Sequence, residues 1–156
     1  MKLLREILYK VEINSVVGNT SLSINKIEFD SRLISDGDMY IAITGVNVDG
    51  HSFISQAIQN GANCIVCEKT PDKKTDGVVY VNVKSSRKAL AIISSNYFNN
   101  PSSKLNLIGV TGTNGKTTIA TLLFDLYTEL EIKSGLISTV KISYDNKNFQ
   151  ADQTTP

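Results

Sequence analysis

The hydrophobic positions of the chain change their spacing within residues 105–130, which read LNLIGVTGTNGKTTIATLLFDLYTEL. A short apolar run at residues 105–110 is typical of a buried strand. After a glycine-rich loop, apolar side chains recur at the period of a helix, which predicts one continuous apolar face. That face consists of Ile119, Leu122, Leu123, Leu126, Tyr127 and Leu130. The pattern therefore predicts a strand, a loop and a helix in succession.

Residues 1–98 alternate between amphipathic segments and short apolar runs, which predicts a compact α/β unit. One predicted helix lies at 2–11. A second has Ser52 as its N-cap, directs Phe53 inward and ends at Asn60-Gly61. A third has Ser85 as its N-cap. The predicted strands lie at 21–32, 39–43, 63–67 and 78–83. Farther along, the pattern predicts a buried strand at 134–140 and a hairpin at 141–150 that turns at Asp145-Asn146.

The polar, proline-containing segment NNPSSK at 99–104 predicts a linker between two domains. The second domain, at 105–156, would begin a phosphate-loop fold with a parallel sheet, but its predicted strands are too few to complete one. We expect an α/β fold in which a small N-terminal α/β domain is followed by the incomplete first part of this second domain. On this interpretation the chain is the front part of a longer protein.

The composition is that of a globular protein, because 41% of the 156 residues are hydrophobic and 20% are charged. A formal net charge of +1 gives no reason to expect nucleic acid or an anionic membrane as a partner. The N-terminal sequence MKLLREILYKVEIN lacks a signal-peptide core, and no apolar run approaches the roughly 20 residues of a membrane span. We expect a cytoplasmic protein without membrane insertion.

Cys64 and Cys67 form a C-x-x-C pattern within a predicted buried strand. Residues three apart on a strand point to opposite faces, so the two sulfurs should diverge. His51 is the only histidine, which leaves too few ligands for a zinc site. We interpret both cysteines as structural, reduced thiols.

The loop TGTNGKTT has the residue types of a phosphate site. Glycines let backbone N–H groups point inward, and the start of a helix adds about half a positive charge behind them. Lys116 would contact the β- and γ-phosphates of ATP, and the Thr117 hydroxyl would be a ligand of Mg²⁺. The pattern G-x-x-x-x-G-K-[ST] requires glycine where Val110 stands, so the loop is a variant. The alternative is an ordinary strand-to-helix turn with a solvated lysine.

Two polar clusters in the first predicted domain are candidates for ligand contact, Asp30-Ser31-Arg32 at a strand end and the loop 46–51. Asp30 and Arg32 can pair locally, and Ser31 can offer a hydroxyl. Composition alone favours turns for both clusters, because polar strand ends and Asp-Gly turns are common.

The segments FDSR, SDGDMYIAITGVNVDGHSFISQAIQNGANCIVCEK and GVTGTNGKTT, in this order, resemble the N-terminal part of a Mur ligase. The resemblance runs from about residue 22 to the end of the chain. It implies a cytoplasmic, monomeric, ATP-dependent enzyme of peptidoglycan synthesis, and hence of cell shape and division. It also implies three domains, which bind the UDP end of a UDP-N-acetylmuramoyl peptide, ATP and the incoming amino acid.

Thr113 and the terminal TTP resemble the MurE ligases, which add the third residue, more than the MurF type, in which serine is usual at the position of Thr113. The resemblance implies an ATP site made of Gly112, Thr113, Asn114, Gly115, Lys116, Thr117 and Thr118. Within it, Lys116 would be catalytic and Thr117 would hold Mg²⁺. The resemblance implies a substrate site made of Phe29, Ser31, Val46, Asn47, Val48, Gln153, Thr154 and Thr155.

Three positions depart from the family pattern. Gln153 stands where asparagine is frequent, Val46 where some members have histidine, and Ser138 where glycine usually precedes Thr-Val. A glutamine amide can make the hydrogen bonds of an asparagine amide, whereas valine cannot stack on uracil as histidine would. We expect His51 to organise its loop rather than to contact ligand.

The implied reaction transfers a phosphoryl group from ATP to the D-glutamate carboxylate of UDP-N-acetylmuramoyl-L-alanyl-D-glutamate, and the amine of the third amino acid attacks the acyl phosphate. The family's other Mg²⁺ ligands and its amino-acid domain lie beyond Pro156, so we expect the 156 residues alone to be inactive. The alternatives are a MurF-type ligase, another P-loop NTPase or kinase, and a noncatalytic nucleotide-binding module.

Overall fold

A computed structural model describes residues 1–45, 48–145 and 147–151. The chain divides into two compact units, Met1–Leu105 and Asn106–Pro156. The α-helices are α1 (Leu4–Ile7), α2 (Ile54–Gln59), α3 (Ser86–Tyr97) and α4 (Lys116–Glu129), and 3₁₀ helices span Ser31–Leu33, Gly50–Phe53 and Pro101–Lys104. The strands are β1 (Lys2–Leu3), β2 (Ile13–Val17), β3 (Ser23–Ile24), β4 (Ile27–Glu28), β5 (Met39–Ile41), β6 (Cys64–Cys67), β7 (Val79–Val83), β8 (Gly135–Ile137), β9 (Lys141–Tyr144) and β10 (Lys147–Gln150). The predicted α/β class is confirmed.

The first unit is built on a five-stranded sheet in the order β2-β7-β6-β5-β4. Strands β4, β5, β6 and β7 are parallel, and β2 runs antiparallel to β7 at the edge. The register pairs Tyr40 with Ile65 and Ile65 with Tyr80, so these residues form a row across three strands. The sequence analysis did not predict β2, an edge strand whose residues are all exposed.

Strand β6 separates two hydrophobic clusters, one on each face of the sheet. Cys64 and Val66 belong to a cluster with residues of α1 and α3, whereas Ile65 and Cys67 belong to a cluster with residues of α2. This alternation confirms that the two sulfurs diverge, and both thiols are buried and free. Burial raises the pKa of the Cys64 thiol, which keeps it protonated. Both cysteines are therefore structural.

Two elements near the N-terminus are shorter than predicted. The helix expected at 2–11 is limited to Leu4–Ile7, because β1 pairs with β3 before it. The strand expected at 21–32 is divided into β3 and β4 at Asn25. The backbone N–H of Asn25 donates to the Gly37 carbonyl, and its side-chain amide donates to the Asp36 carbonyl. These bonds to a neighbouring turn replace the ladder that a continuous strand would need.

The start of α2 differs from the prediction that Ser52 caps it. Asp49 instead caps a 3₁₀ helix at Gly50–Phe53, where its carboxylate accepts from the backbone N–H of His51, and α2 begins only at Ile54. Phe53 is partly exposed rather than directed inward, because the inserted 3₁₀ turn rotates it away from the apolar face.

Two other predicted helix ends are confirmed. Ser85 caps α3 by accepting from the backbone N–H of Lys88 at 3.5 Å. Helix α2 ends at Gln59 with Asn60 as its C-cap, and Gly61 follows with a φ of 109°. A Cβ atom on Gly61 would lie 2.7 Å from the Cα atom of Asp36, so both the backbone angle and the available space favour glycine.

The second unit contains α4 and an antiparallel sheet of β8, β9 and β10, in which β9 and β10 form the predicted hairpin. The strand predicted at 105–110 is absent from the described residues, and Leu107 is 75% exposed. A strand needs a hydrogen-bonded neighbour, and β8, the other strand predicted for this unit, pairs with β9. The expected parallel sheet is thus not formed within the described residues, and Leu136 is the buried residue of β8.

No helix in the described ranges is both long enough and apolar enough to cross a membrane.

Candidate functional site

Polar groups gather where the parallel strands of the first unit end. The 3₁₀ helix Ser31–Leu33 comes soon after β4, the loop containing Thr44 to Asp49 comes after β5, and Glu68 comes directly after β6. The carboxyl ends of parallel strands lie at one edge of the sheet, which is where ligands bind in open α/β sheets. This edge is the candidate substrate site of the first unit.

Asp30 and Arg32 form the local pair that the sequence predicts. The Asp30 carboxylate accepts from the backbone N–H of Arg32 at 3.0 Å and from the guanidinium at 2.6 Å between Oδ2 and Nη2. The side-chain hydrogen bonds of Arg32 and then its backbone N–H lower the pKa of Asp30 to about 2. The pair fixes the turn that carries Ser31.

Ser31 is 5% exposed and is held from two sides by α2 and the turn after it. Its hydroxyl donates to Gln56 Oε1 at 2.9 Å, and its carbonyl accepts from Asn60 Nδ2 at 2.8 Å. A hydroxyl that donates its hydrogen can still accept one from a ligand. Phe29, another residue of the predicted substrate site, is 54% exposed.

The loop after β5 closes through two tight glycine contacts. The backbone N–H of Gly45 donates to the Val48 carbonyl at 3.0 Å, and that of Gly50 donates to the Ile43 carbonyl at 2.9 Å. A Cβ atom added to Gly45 would lie 2.6 Å from the Val48 carbonyl oxygen, and a Cβ atom added to Gly50 would lie 2.7 Å from the Ile43 nitrogen. Only glycine fits at either position without movement of the backbone. The Val48 side chain is exposed.

Among the predicted substrate residues, Val46, Asn47, Gln153, Thr154 and Thr155 lie outside the described ranges.

Tyr40 holds the loop after β5, and the sequence analysis did not identify it. Its buried hydroxyl donates to the Gly50 carbonyl at 2.9 Å. Burial, followed by the charges of Asp30 and Asp49, raises the pKa of Tyr40 to about 12. Gln56 was also missed, because an amide on a short helix has no distinctive sequence signal.

The predicted phosphate site of the second unit is an exposed loop that ends at the N-terminus of α4. Gly115 precedes the 14-residue helix with a φ of 78°, and Gly112 has a φ of 153°. Side chains other than glycine rarely adopt these angles, which explains both glycines. No side chain caps α4 in the described structure, so the first N–H groups of the helix remain available to an anion.

Lys116 and Thr117 stand at the first turn of α4. The Lys116 ammonium folds back over the loop and donates to the carbonyls of Gly112 at 2.6 Å and Thr113 at 3.3 Å. The Thr117 hydroxyl lies 3.4 Å from the hydroxyl of Thr139, which the sequence analysis did not identify. Asn114, in the loop before α4, and Thr118, in the first turn of α4, are exposed.

These residues fit a Mg²⁺-bound nucleoside triphosphate. The uncapped helix start offers N–H donors, Lys116 offers a mobile cation, and the Thr117 hydroxyl is an oxygen ligand of the kind that Mg²⁺ accepts. Over the described residues, no cluster of three or more histidine, cysteine or acidic side chains forms that could hold a metal by itself.

Comparison with known proteins identifies relatives for the whole chain. A ligase named UDP-N-acetylmuramoyl-L-alanyl-D-glutamate–2,6-diaminopimelate ligase from Cytophaga hutchinsonii is 48% identical over 154 residues, which are 98% of this chain and 32% of the relative. A ligase of the same name from Clostridium tetani is 43% identical over 155 residues, again 98% of this chain and 32% of the relative. The chain thus spans about a third of the length of these relatives.

Solved structures agree with the fold. MurF from Acinetobacter baumannii aligns with a TM-score of 0.61 and 23% identity over 83% of this chain and 28% of that chain, a likeness that shows the fold alone. MurF ligase from Thermotoga maritima, solved in complex with ADP, aligns with a TM-score of 0.55 and 32% identity over 67% of this chain and 23% of that chain.

The family model described as "Mur ligase family, catalytic domain" matches residues 23–98, which lie in the first unit and include both turns of the candidate substrate site. Together with the relatives, this match shows that the chain belongs to the Mur ligase family.

Proposed function

We propose that this chain provides the substrate-binding and phosphate-loop portion of an ATP-dependent ligase that adds 2,6-diaminopimelate to UDP-N-acetylmuramoyl-L-alanyl-D-glutamate. The observation that carries the proposal is the 48% identity, over nearly the whole chain, to a ligase named for that reaction. Residues 1–98 would bind the UDP end of the substrate, 99–104 would link the domains, and 105–156 would begin the ATP-binding domain. The protein would act in the cytoplasm as a monomer, in peptidoglycan synthesis.

ATP would bind at the loop Gly112–Thr118. Its phosphates would accept hydrogen bonds from the backbone N–H groups at the start of α4, with the helix dipole behind them. The Lys116 ammonium would leave the loop carbonyls and contact the β- and γ-phosphates. Thr117 would hold Mg²⁺, which neutralises phosphate charge when bound.

The UDP end of the substrate would bind at the carboxyl edge of the first sheet. Ser31 would accept a hydrogen bond while Gln56 holds its hydroxyl in place. Phe29 and Val48 offer exposed apolar surface at the two turns, and Val46 and Asn47 belong to the same proposed pocket. Gln153, Thr154 and Thr155 would contact the muramoyl peptide.

The chemical step would be a phosphoryl transfer to the D-glutamate carboxylate, followed by attack of the diaminopimelate amine and loss of phosphate. Catalysis of this kind depends on positioning and on neutralisation of charge. Lys116 would stabilise the negative charge of the phosphoryl group during its transfer. Ser31 and its neighbours would act at a distance, by holding the substrate through its nucleotide end.

A MurF-type ligase is the second candidate, because the structures with a similar fold are MurF proteins, one of them with ADP bound. The sequence relatives favour the diaminopimelate reaction, since those with 39% to 48% identity over at least 98% of the chain are diaminopimelate ligases. An unrelated P-loop NTPase would have no reason to carry the turns of the first unit.

Calorimetric titration of the chain with UDP-N-acetylmuramoyl-L-alanyl-D-glutamate tests the proposal. We expect binding in wild type and binding about fivefold weaker in Ser31→Ala, because one buried hydrogen bond contributes roughly 1 kcal/mol. Ser35→Ala is the matched control, because Ser35 is exposed and lies shortly after the 3₁₀ helix that carries Ser31. A folded chain that fails to bind would contradict the proposal, and tighter binding of the diaminopimelate-containing tripeptide compound would favour the MurF-type alternative.

A further inference from the structure

The His51 imidazole joins two segments of the first unit. Its Nδ1 atom lies 2.6 Å from Asp49 Oδ1, and its Nε2 atom accepts from the backbone N–H groups of Glu68 at 2.9 Å and Lys69 at 3.3 Å. The side chain is 12% exposed. We call Asp49, His51 and the two backbone N–H groups of Glu68 and Lys69 the histidine clasp.

The clasp defines the protonation state of the ring. Two N–H groups point at Nε2, so this atom must carry its lone pair, and the Asp49 carboxylate accepts only, so Nδ1 must carry the hydrogen. The ring is therefore neutral and in the Nδ1-protonated tautomer. A hydrogen on Nε2 would face both backbone donors and break the connection to the end of β6.

The clasp also defines the path of the chain between Val48 and His51. Asp49 accepts from the backbone N–H of His51 at 3.0 Å, and this bond, followed by the imidazole contact, lowers the pKa of Asp49. From the opposite side, the Tyr40 hydroxyl donates to the Gly50 carbonyl. The loop after β5 is thus fixed by β5 at Gly50 and by the end of β6 at His51.

Glu68 extends the clasp to α3. Its side-chain oxygen Oε1 accepts from the backbone N–H of Ser86 at 2.8 Å, and its carbonyl accepts from the side-chain amide of Asn82 at 3.0 Å. The residue that donates to His51 is therefore itself held by β7 and by the first turn of α3. A rigid anchor of this kind transmits position to the loop instead of moving with it.

We propose that His51 is a positioning residue, which in its neutral, Nδ1-protonated form holds the Val48–Gly50 segment in the geometry that receives the nucleotide end of the substrate. The ligand class is a uridine diphosphate ester, and the inference rests on the function proposed above. His51 itself does not contact the ligand, because both ring nitrogens are already bonded within the protein.

The tautomer is directly measurable in the 156-residue chain, because it contains a single histidine. We expect long-range ¹⁵N–¹H correlation of a tag-free sample to show a protonated Nδ1 and an unprotonated Nε2. We also expect amide exchange at Glu68 and Lys69 to be slowed in wild type and accelerated in His51→Phe. The opposite tautomer, or exchange unchanged by the substitution, would overturn the assignment.

Binding of UDP-N-acetylmuramoyl-L-alanyl-D-glutamate tests the functional half of the inference. We expect His51→Phe to weaken binding about fivefold, the factor that corresponds to one ordinary hydrogen bond. His51→Gln places an acceptor near the Nε2 position and should recover most of the affinity, whereas His51→Asn reaches only toward Asp49 and should not. If wild type binds and His51→Phe binds equally well, the positioning role fails while the proposed function stands. If folded wild type does not bind, both fail.

Discussion

Helices α3 and α4 have the same kind of apolar face, but they differ in what covers it. On α3, Ile93 is completely buried against the sheet of the first unit. On α4, Leu122 is 63% exposed, and no residue of this helix is buried within the described part of the chain. The comparison teaches that a helical period identifies which side chains share a face, whereas burial requires a partner surface that the period does not specify.

The largest expected effect is on turnover, through a residue of the second unit, which contains the exposed helix α4. In a chimera in which this chain replaces the matching third of the Cytophaga hutchinsonii ligase, Lys116→Ala should reduce turnover on the order of 10³-fold, because it removes a charge that stabilises the transition state. Initial rates of ADP release measure the effect. Lys133→Ala, which removes an exposed lysine from the same unit, should leave the rate unchanged. A Lys116→Ala chimera with near-normal turnover would contradict the role of this lysine.

Two matched substitutions test the comparison of the helices itself. Ile93→Ala should lower the free energy of unfolding by about 3 kcal/mol, because it leaves a cavity in a closed core. Leu122→Ala should change it by no more than about 0.5 kcal/mol, because its side chain already faces solvent. Urea unfolding, followed through amide exchange in each unit separately, measures both values. Equal effects would show that α4 is as well covered as α3.

The smallest expected effect concerns an exposed pair in the first unit. The pKa of Asp30 is lowered to about 2 in the folded chain, against an ordinary value of 3.8, so its contribution to stability is complete above pH 3.8 and is lost as the pH falls through 2. Carbon-detected NMR titration of the carboxyl group measures this pKa directly. In Arg32→Gln the pKa of Asp30 should rise toward its ordinary value, since the guanidinium is its main partner. An unchanged titration would mean that the pair does not persist in solution.

Local rules account for much of the fold of the first unit. The period of two along β6 places Cys64 and Cys67 in different clusters, and Ser85 and Gly61 act at helix ends as their chemistry predicts. Where the strand predicted at 21–32 was interrupted, a partner elsewhere in the chain intervened. Asn25 interrupts a strand because its amide groups bond to the turn at Asp36 and Gly37, and such a partner has no signature in the surrounding sequence.

The candidate sites divide in the same way. The glycine-rich loop, its lysine and its threonine are recognisable from residue type and order, because the loop is continuous in the chain and needs only glycine angles and a helix start. The substrate edge is assembled from separate strands, so Tyr40 and Gln56 escaped notice until the fold placed them beside the turns.

The sequence by itself determined the two faces of β6, the N-cap of α3 and the end of α2, and the glycines of the loop before α4, since these depend on neighbours in the chain. Only the tertiary structure decided that residues 105–110 form no strand in the described chain, that α4 is exposed, and that His51 bonds to Glu68 and Lys69. These outcomes depend on which segments meet in space, and a hydrogen bond between residues 17 positions apart is decided by packing, not by local order.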